Sequence, residues 1–142
     1  MKGVRNEKSK KIFMMLMISG FVFLGTTFVF AATSARGYTF TSLGSGYNQW
    51  LSDSFTNSNG MLFSKFKSTK TVSTTLTIEP FTSKYGGQSA GRIIITNPSS
   101  SSYAIRQHIY ASQGQAYWIK VKNSGNTVSG NYNIISSDVY QS

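Results

Sequence analysis

Tyr117-Trp118-Ile119-Lys120-Val121-Lys122 alternates without a break. Successive side chains of an extended chain point to opposite faces, so Tyr117, Ile119 and Val121 fall on one side and Trp118, Lys120 and Lys122 on the other. That pattern predicts a β-strand with a buried apolar face and an aromatic, cationic outer face. The same period recurs on both sides of it. Tyr38 and Phe40 alternate with threonines. Leu62 and Phe66 face one way, Lys65 and Lys67 the other. Val72, Thr74, Leu76 and Ile78 share a face, and Ile93-Ile94-Ile95 is continuously apolar. Tyr103, Ile105 and Ile109 alternate with Arg106, His108 and Tyr110, and Tyr132 and Ile134 close the series. Helical periodicity is hard to find; only Trp50 and Leu51 could sit on a helical turn or a strand.

Turn chemistry separates these runs. Asn57-Ser58-Asn59-Gly60, Tyr85-Gly86-Gly87, Asn97-Pro98-Ser99 and Asn123-Ser124-Gly125-Asn126 are loop signals. About seven short strands with such breaks predict an all-β chain, a single small antiparallel β-sandwich or, failing that, a small barrel.

The opening stretch also suggests a register. If 103–111 pairs with 117–122 across the loop 112–116, Ile109 faces Ile119 on the core side. Gln107 then faces Val121, a polar group needing a partner or a place at the rim. The outer face pairs Tyr110 with Trp118, His108 with Lys120 and Arg106 with Lys122. A second hairpin, 117–122 with 131–136, puts Ile134 opposite Ile119 and Ile135 opposite Trp118. The expectation is a basic strip running into an apolar patch. Arg106, His108, Tyr110, Trp118, Lys120 and Lys122 are its candidate binding residues.

The N-terminus has a different character. Lys2, Arg5, Lys8, Lys10 and Lys11 stand against Glu7; Ile12–Phe30 carries no charge; Ala31, Ala32, Thr33, Ser34 and Ala35 follow. A cationic head, an apolar core and a small-residue site are the layout of a secretory signal peptide. Val29-Phe30-Ala31 fits the cleavage pockets, with Thr33-Ser34-Ala35 as the fallback. The expected organisation is a signal helix over 1–31 and a secreted domain over 32–142. An uncleaved anchor is the rival, because the apolar run is just long enough to span a ~30 Å core; Gly20, Gly25, Thr26 and Thr27 weaken it. The long charged head and long apolar core look like the leaders of secreted proteins of Gram-positive bacteria. No cysteine follows the run, which excludes a lipoprotein, and no LPxTG-like sorting signal sits near the C-terminus.

With the leader set aside, nine basic residues stand against Asp53, Glu79 and Asp138, a net of +6. Such a chain meets teichoic acids, anionic lipids, extracellular DNA and acidic polysaccharides outside the cell; charge favours all of them and selects none. The chain has no cysteine, so disulfides, thiolate metal sites and cysteine nucleophiles are excluded. His108 is the single histidine, and no zinc or calcium spacing is present. A Ser–His–Asp set could be assembled from His108, Asp53 and a serine, but no nucleophile elbow frames it. Asp53 and Glu79 could serve glycoside hydrolysis only as two of three scattered acids. No enzymatic activity, cofactor or specific nucleic-acid partner is expected, and the membrane is expected to matter only during export.

Tyr117-Trp118-Ile119-Lys120-Val121 followed by Gly130-Asn131-Tyr132-Asn133-Ile134 resembles the closing hairpin of bacterial pre-peptidase C-terminal domains. The resemblance covers about 20 residues. It implies a secreted β-sandwich of the kind found beside extracellular enzymes, where it assists targeting or substrate binding. It assigns no functional residue, and the acidic mid-domain strand of that family has no counterpart here.

Three functions compete. The first is a non-catalytic module binding anionic cell-wall polymer or extracellular polysaccharide. The second is a secreted antimicrobial, bacteriocin-like protein acting on bacterial membranes, suggested by size, charge and Gly/aromatic richness. The third is an accessory or inhibitor of a secreted enzyme, presenting a loop such as Asn123–Gly130.

Overall fold

The structure, a computed structural model, describes residues 32–51 and 53–142. The expected signal helix and its cleavage site at Ala31 lie outside the described residues. Nine strands form along the rest: β1 (Thr33–Leu43), β2 (Asn48–Trp50), β3 (Phe55–Thr56), β4 (Met61–Ser68), β5 (Thr75–Phe81), β6 (Ile93–Thr96), β7 (Ala104–His108), β8 (Ala116–Asn123) and β9 (Val128–Ser137). Six coincide with the alternating runs of the sequence, and β6 with its continuous apolar run. The two extra are β2 and β3, short pieces that pair with successive stretches of β8. β2 resolves the ambiguous Trp50 as a strand residue.

The strands form two antiparallel sheets, one ordered β1-β9-β4-β7 and the other β2-β8-β5-β6 with β3 also on β8. Their inner faces share one core. Phe40, Leu62, Phe66, Tyr132 and Ile134 from the first sheet meet Leu76, Ile78, Ile93, Ile95, Ile119 and Val121 from the second. Burying each such side chain contributes roughly 1.5–3 kcal/mol. This is the all-β sandwich that the alternation predicts.

The pairing within it differs from the predicted hairpins. β7 pairs with β4, Leu62 opposite His108 and Phe66 opposite Ala104, and lies in the other sheet from β8. β9 sits between β1 and β4 and makes no ladder with β8. The chain crosses between sheets at both places where adjacency in sequence suggested a hairpin. The crossover also reverses the parity of β7. Its even-numbered residues align with Leu62, Ser64 and Phe66, whose side chains point inward. His108 is therefore buried, whereas Ile109 is 69% exposed.

Buried polar groups close the edges where no disulfide can. Asn123, at the end of β8, donates from Nδ2 to the carbonyls of Leu43 (2.8 Å) and Asn126 (2.9 Å), and its Oδ1 accepts from the Thr74 hydroxyl. One side chain thus ties the second sheet to β1 of the first. Asn57 does the same beside β3: Nδ2 donates to the Gly60 carbonyl (2.7 Å), and Oδ1 accepts from Ser136 (2.7 Å) of β9. Backbone conformation matters at two further points. β1 bulges between Phe40 and Leu43, with Ser42 at φ 57° and its N–H on the Ser129 hydroxyl. At Gly130 of β9, a Cβ would collide with the Lys67 carbonyl and the Phe66 ring, so only glycine lets β4 and β9 approach.

Asn123→Ala leaves the Leu43 carbonyl and the Thr74 hydroxyl without partners, and an unmet buried polar group costs about 1–3 kcal/mol. Urea denaturation is expected to show a loss of about 2–4 kcal/mol. The exposed Asn126→Ala should cost under about 1 kcal/mol; equal losses would mean that Asn123 does not tie the sheets.

Candidate functional site

The outer face of the β2-β8-β5-β6 sheet follows directly from the parity of β8. With Tyr117, Ile119 and Val121 buried, Trp118, Lys120 and Lys122 point away from the core. Register sets their neighbours. Lys120 lies between Trp50 of β2 and Glu79 of β5, Lys122 between Asn48 and Thr77, and Trp118 beside Phe81. The result is a shallow surface with a polar end and an aromatic end, joined at Lys120.

The polar end is a groove lined by Asn48, Thr77, Glu79, Arg92, Lys120, Lys122 and Ser124. Glu79 is its one acid, and it is already engaged. Its carboxylate accepts from the Ser89 hydroxyl at 2.7 Å and from Arg92 Nε at 3.3 Å. Among the described residues Lys120 and Lys122 make no ion pair, which leaves them available to an anion. The aromatic end is built on Trp50. Its ring packs at 5.6 Å from Phe81 and 6.3 Å from Tyr85, tilted by 60° in each case. Lys120 Nζ lies 5.6 Å from the centre of the same indole, within reach of a cation–π attraction. Tyr85 is 85% exposed on the 83–87 turn, and Lys84 stands next to it. Such a surface can hold phosphate or carboxylate groups at one end and stack a ring at the other.

Of the six residues that the sequence suggested, Trp118, Lys120 and Lys122 belong to this surface. Arg106, His108 and Tyr110 do not, because β7 is in the opposite sheet. Arg106 is exposed at the β7 edge and donates to its neighbour's carbonyl, that of Ile105, at 2.8 Å. Tyr110 is 71% exposed in the turn after β7, its N–H on the Ala90 carbonyl. The predicted pairs Tyr110–Trp118, His108–Lys120 and Arg106–Lys122 are therefore not formed. Trp50, Phe81, Tyr85 and Arg92 were missed. Thr77, Glu79 and Phe81 alternate with buried Leu76, Ile78 and Pro80, so the outward parity of β5 was readable. What local pattern could not supply was that β5 and β2 flank β8.

His108 is a core residue. The Gly91 carbonyl, 2.7 Å from Nδ1, can only accept, so Nδ1 carries the proton. Nε2 then accepts from the Ser64 hydroxyl (2.7 Å), whose oxygen accepts in turn from the Tyr132 hydroxyl (2.8 Å). This is a serine–histidine pair with both members sealed from solvent, and its Nδ1 faces a carbonyl rather than Asp53. Asp53 lies instead 4.0 Å from Arg36. The histidine links β7 to Gly91, two residues before β6, from one sheet to the other. Burial lowers its pKa to about 4, against smaller upward pulls from the Gly91 carbonyl and Glu79. Burial likewise drives the Tyr132 phenol upward.

Among the described residues, no helix is long and apolar enough to cross a membrane, and no three His, Cys, Asp or Glu side chains gather as metal ligands. The loop imagined over Asn123–Gly130 shrinks to 124–127, since Asn123 closes β8 and Val128 opens β9. The two segments resembling a pre-peptidase C-terminal hairpin lie in different sheets and form no hairpin.

No family model matches the chain, and no curated protein matches it. The fold is similar to a solved structure described as "Bacillus endospore appendages form a novel family of disulfide-linked pili". The likeness has 11% sequence identity, covers 75% of this chain and 83% of that one, and has a TM-score of 0.45.

The lowered pKa of His108 sets a pH window. The unfolded histidine titrates near 6.5 and the folded one near 4, so between those values the unfolded chain binds more protons. Stability is expected to be level above about pH 7 and to fall as pH drops from 6.5 to 4, by an amount on the order of 3 kcal/mol. Chemical denaturation across that range checks this, with His108→Gln expected to remove most of the slope. An unchanged slope in that variant would assign the acid sensitivity elsewhere.

Proposed function

We propose that this chain is an exported, non-catalytic protein that binds anionic cell-envelope or extracellular polysaccharide polymer through the outer face of the β2-β8-β5-β6 sheet. The observation that carries the reading is the pairing of Lys120 and Lys122 with the Trp50–Phe81–Tyr85 cluster. The one acid on that face is already held by Arg92 and Ser89. The cations supply attraction to phosphate or carboxylate, and the half-exposed rings supply a platform for the apolar face of a sugar. The leader-like pattern of residues 1–31 supports a place outside the cell.

Retention on isolated bacterial cell walls tests the reading. The protein comprising residues 32–142 should bind at low ionic strength and be released by added salt, because exposed charges are screened within about 10 Å at 0.1 M. Lys120→Ala with Lys122→Ala should weaken retention about tenfold, as two exposed ion pairs of ~0.7 kcal/mol each imply. Trp50→Ala should weaken it with little change in salt dependence. Wild-type protein that washes off freely at low salt, or a double variant held as tightly as the wild type, would rule the reading out.

A further inference from the structure

We propose that the outer face of the β1-β9-β4-β7 sheet is a second anion-binding site, so that one molecule bridges two anionic polymer chains. The proposal rests on the reading of the opposite face given above and extends it. Its basis is a pattern that occurs once in each sheet. Lys65-Phe66-Lys67 lies in β4, and Lys120-Val121-Lys122 lies in β8. Both strands are interior to their sheets. Phe66 and Val121 are buried in the shared core, so alternation sends each pair of lysines outward, to opposite sides of the sandwich. Within each pair the lysines stand two residues apart, ~6.6–6.8 Å along the strand. A linear polymer with one charge per repeating unit can present its charges at a comparable interval.

The surroundings of Lys65 and Lys67 support an anion rather than an apolar partner. Both ammonium groups sit over the ring of Tyr103, at 4.2 and 5.5 Å from its centre, which gathers the two charges at one place. On β9 the residues across from them are Asn133 and Asn131, with the Thr39 hydroxyl donating to Asn131 Oδ1 at 3.2 Å. None of the four strands of this sheet carries an acid. Among the described residues Lys65 and Lys67 make no ion pair, while Arg36 of β1 lies 4.0 Å from Asp53 and, on the opposite face, Arg92 is spent on Glu79. The occupant that fits is a second stretch of the same linear polyanion, held by its phosphate or carboxylate groups.

Two measurements test this on the chain comprising residues 32–142. Isothermal titration with short oligophosphate or oligogalacturonate reads the number of sites. Light scattering with long-chain polyphosphate or polygalacturonate reads bridging. The wild type is expected to take two oligomers per molecule and to scatter strongly at intermediate ratios, clearing when polymer is in excess. Lys65→Ala with Lys67→Ala should bind one oligomer and lose the scattering, and Lys120→Ala with Lys122→Ala should do the same. Lys70→Ala with Arg106→Ala removes the same charge away from both faces and should keep two sites. Thermal melts confirm folding of each variant. An unchanged number of sites in the Lys65/Lys67 variant would overturn the second site and leave the first standing. An unchanged number in the Lys120/Lys122 variant would overturn the reading of the first face. A wild type that binds no oligomer would remove both.

Discussion

The structure depends on keeping one face of β8 dry. Tyr117, Ile119, Val121 and Asn123 all lie below 3% exposure, and the strand is contacted on both edges, by β2 and β3 on one side and β5 on the other. A single-residue slip would place Trp118, Lys120 and Lys122 in the core, which the desolvation of two ammonium groups forbids. The parity of this one strand therefore fixes its register against three neighbours. Through the shared core it also fixes which residues of β4 and β9 face inward.

Apolar burial alone does not say how two sheets sit edge to edge. Here that is set by polar side chains with a narrow choice of partners. Asn123 reaches from β8 to the Leu43 carbonyl, Asn57 accepts from Ser136, and His108 spans from Ser64 to the Gly91 carbonyl. Each is nearly inaccessible to solvent, so each hydrogen bond must be present in the folded state or its groups remain unmet. A chain without cysteine can specify the mutual placement of its sheets in this way. The cost is sensitivity to acid at His108, the one latch that can gain a proton.

Much of the architecture was legible in the sequence because alternation is a local property. Six strands announced themselves by period-two patterns and β6 by a continuous apolar run, and the Asn/Gly/Pro turns fell between them. Leu62, Phe66, Leu76, Ile78, Ile119, Val121, Tyr132 and Ile134 were readable as inward residues of β4, β5, β8 and β9, whereas the buried Ser64, Ser68 and Ser136 carried no such signal. β7 was misread for an instructive reason. Ile105 and Ile109 are the strongly apolar residues of that run, so they seemed to mark the core side, yet Ala104, Ile105 and Gln107 are only half-buried. Pairing with β4 puts His108 there instead, where the Ser64 hydroxyl and the Gly91 carbonyl satisfy both ring nitrogens. Those partners lie 44 and 17 residues away in sequence. No local pattern reveals them, and the same holds for the approach of Trp50 and Phe81 to Lys120.

The consequence for the candidate site is that its composition changed while its centre stayed. Lys120 and Lys122 are outward because Val121 is inward, whichever strands lie beside them. What the topology adds is the company they keep. β7 would have brought a further cation, Arg106, directly opposite Lys122, and with it like-charge repulsion across the ladder. β2 and β5 bring Trp50, Phe81, Asn48 and an acid already matched to Arg92. Rings beside unpaired lysines suit a ligand that carries both charge and a ring, whereas a uniformly basic strip would suit any polyanion. The other sheet applies the same parity rule to Lys65 and Lys67 around a single tyrosine, so the alternation that builds the core also decides that the two outer faces are cationic.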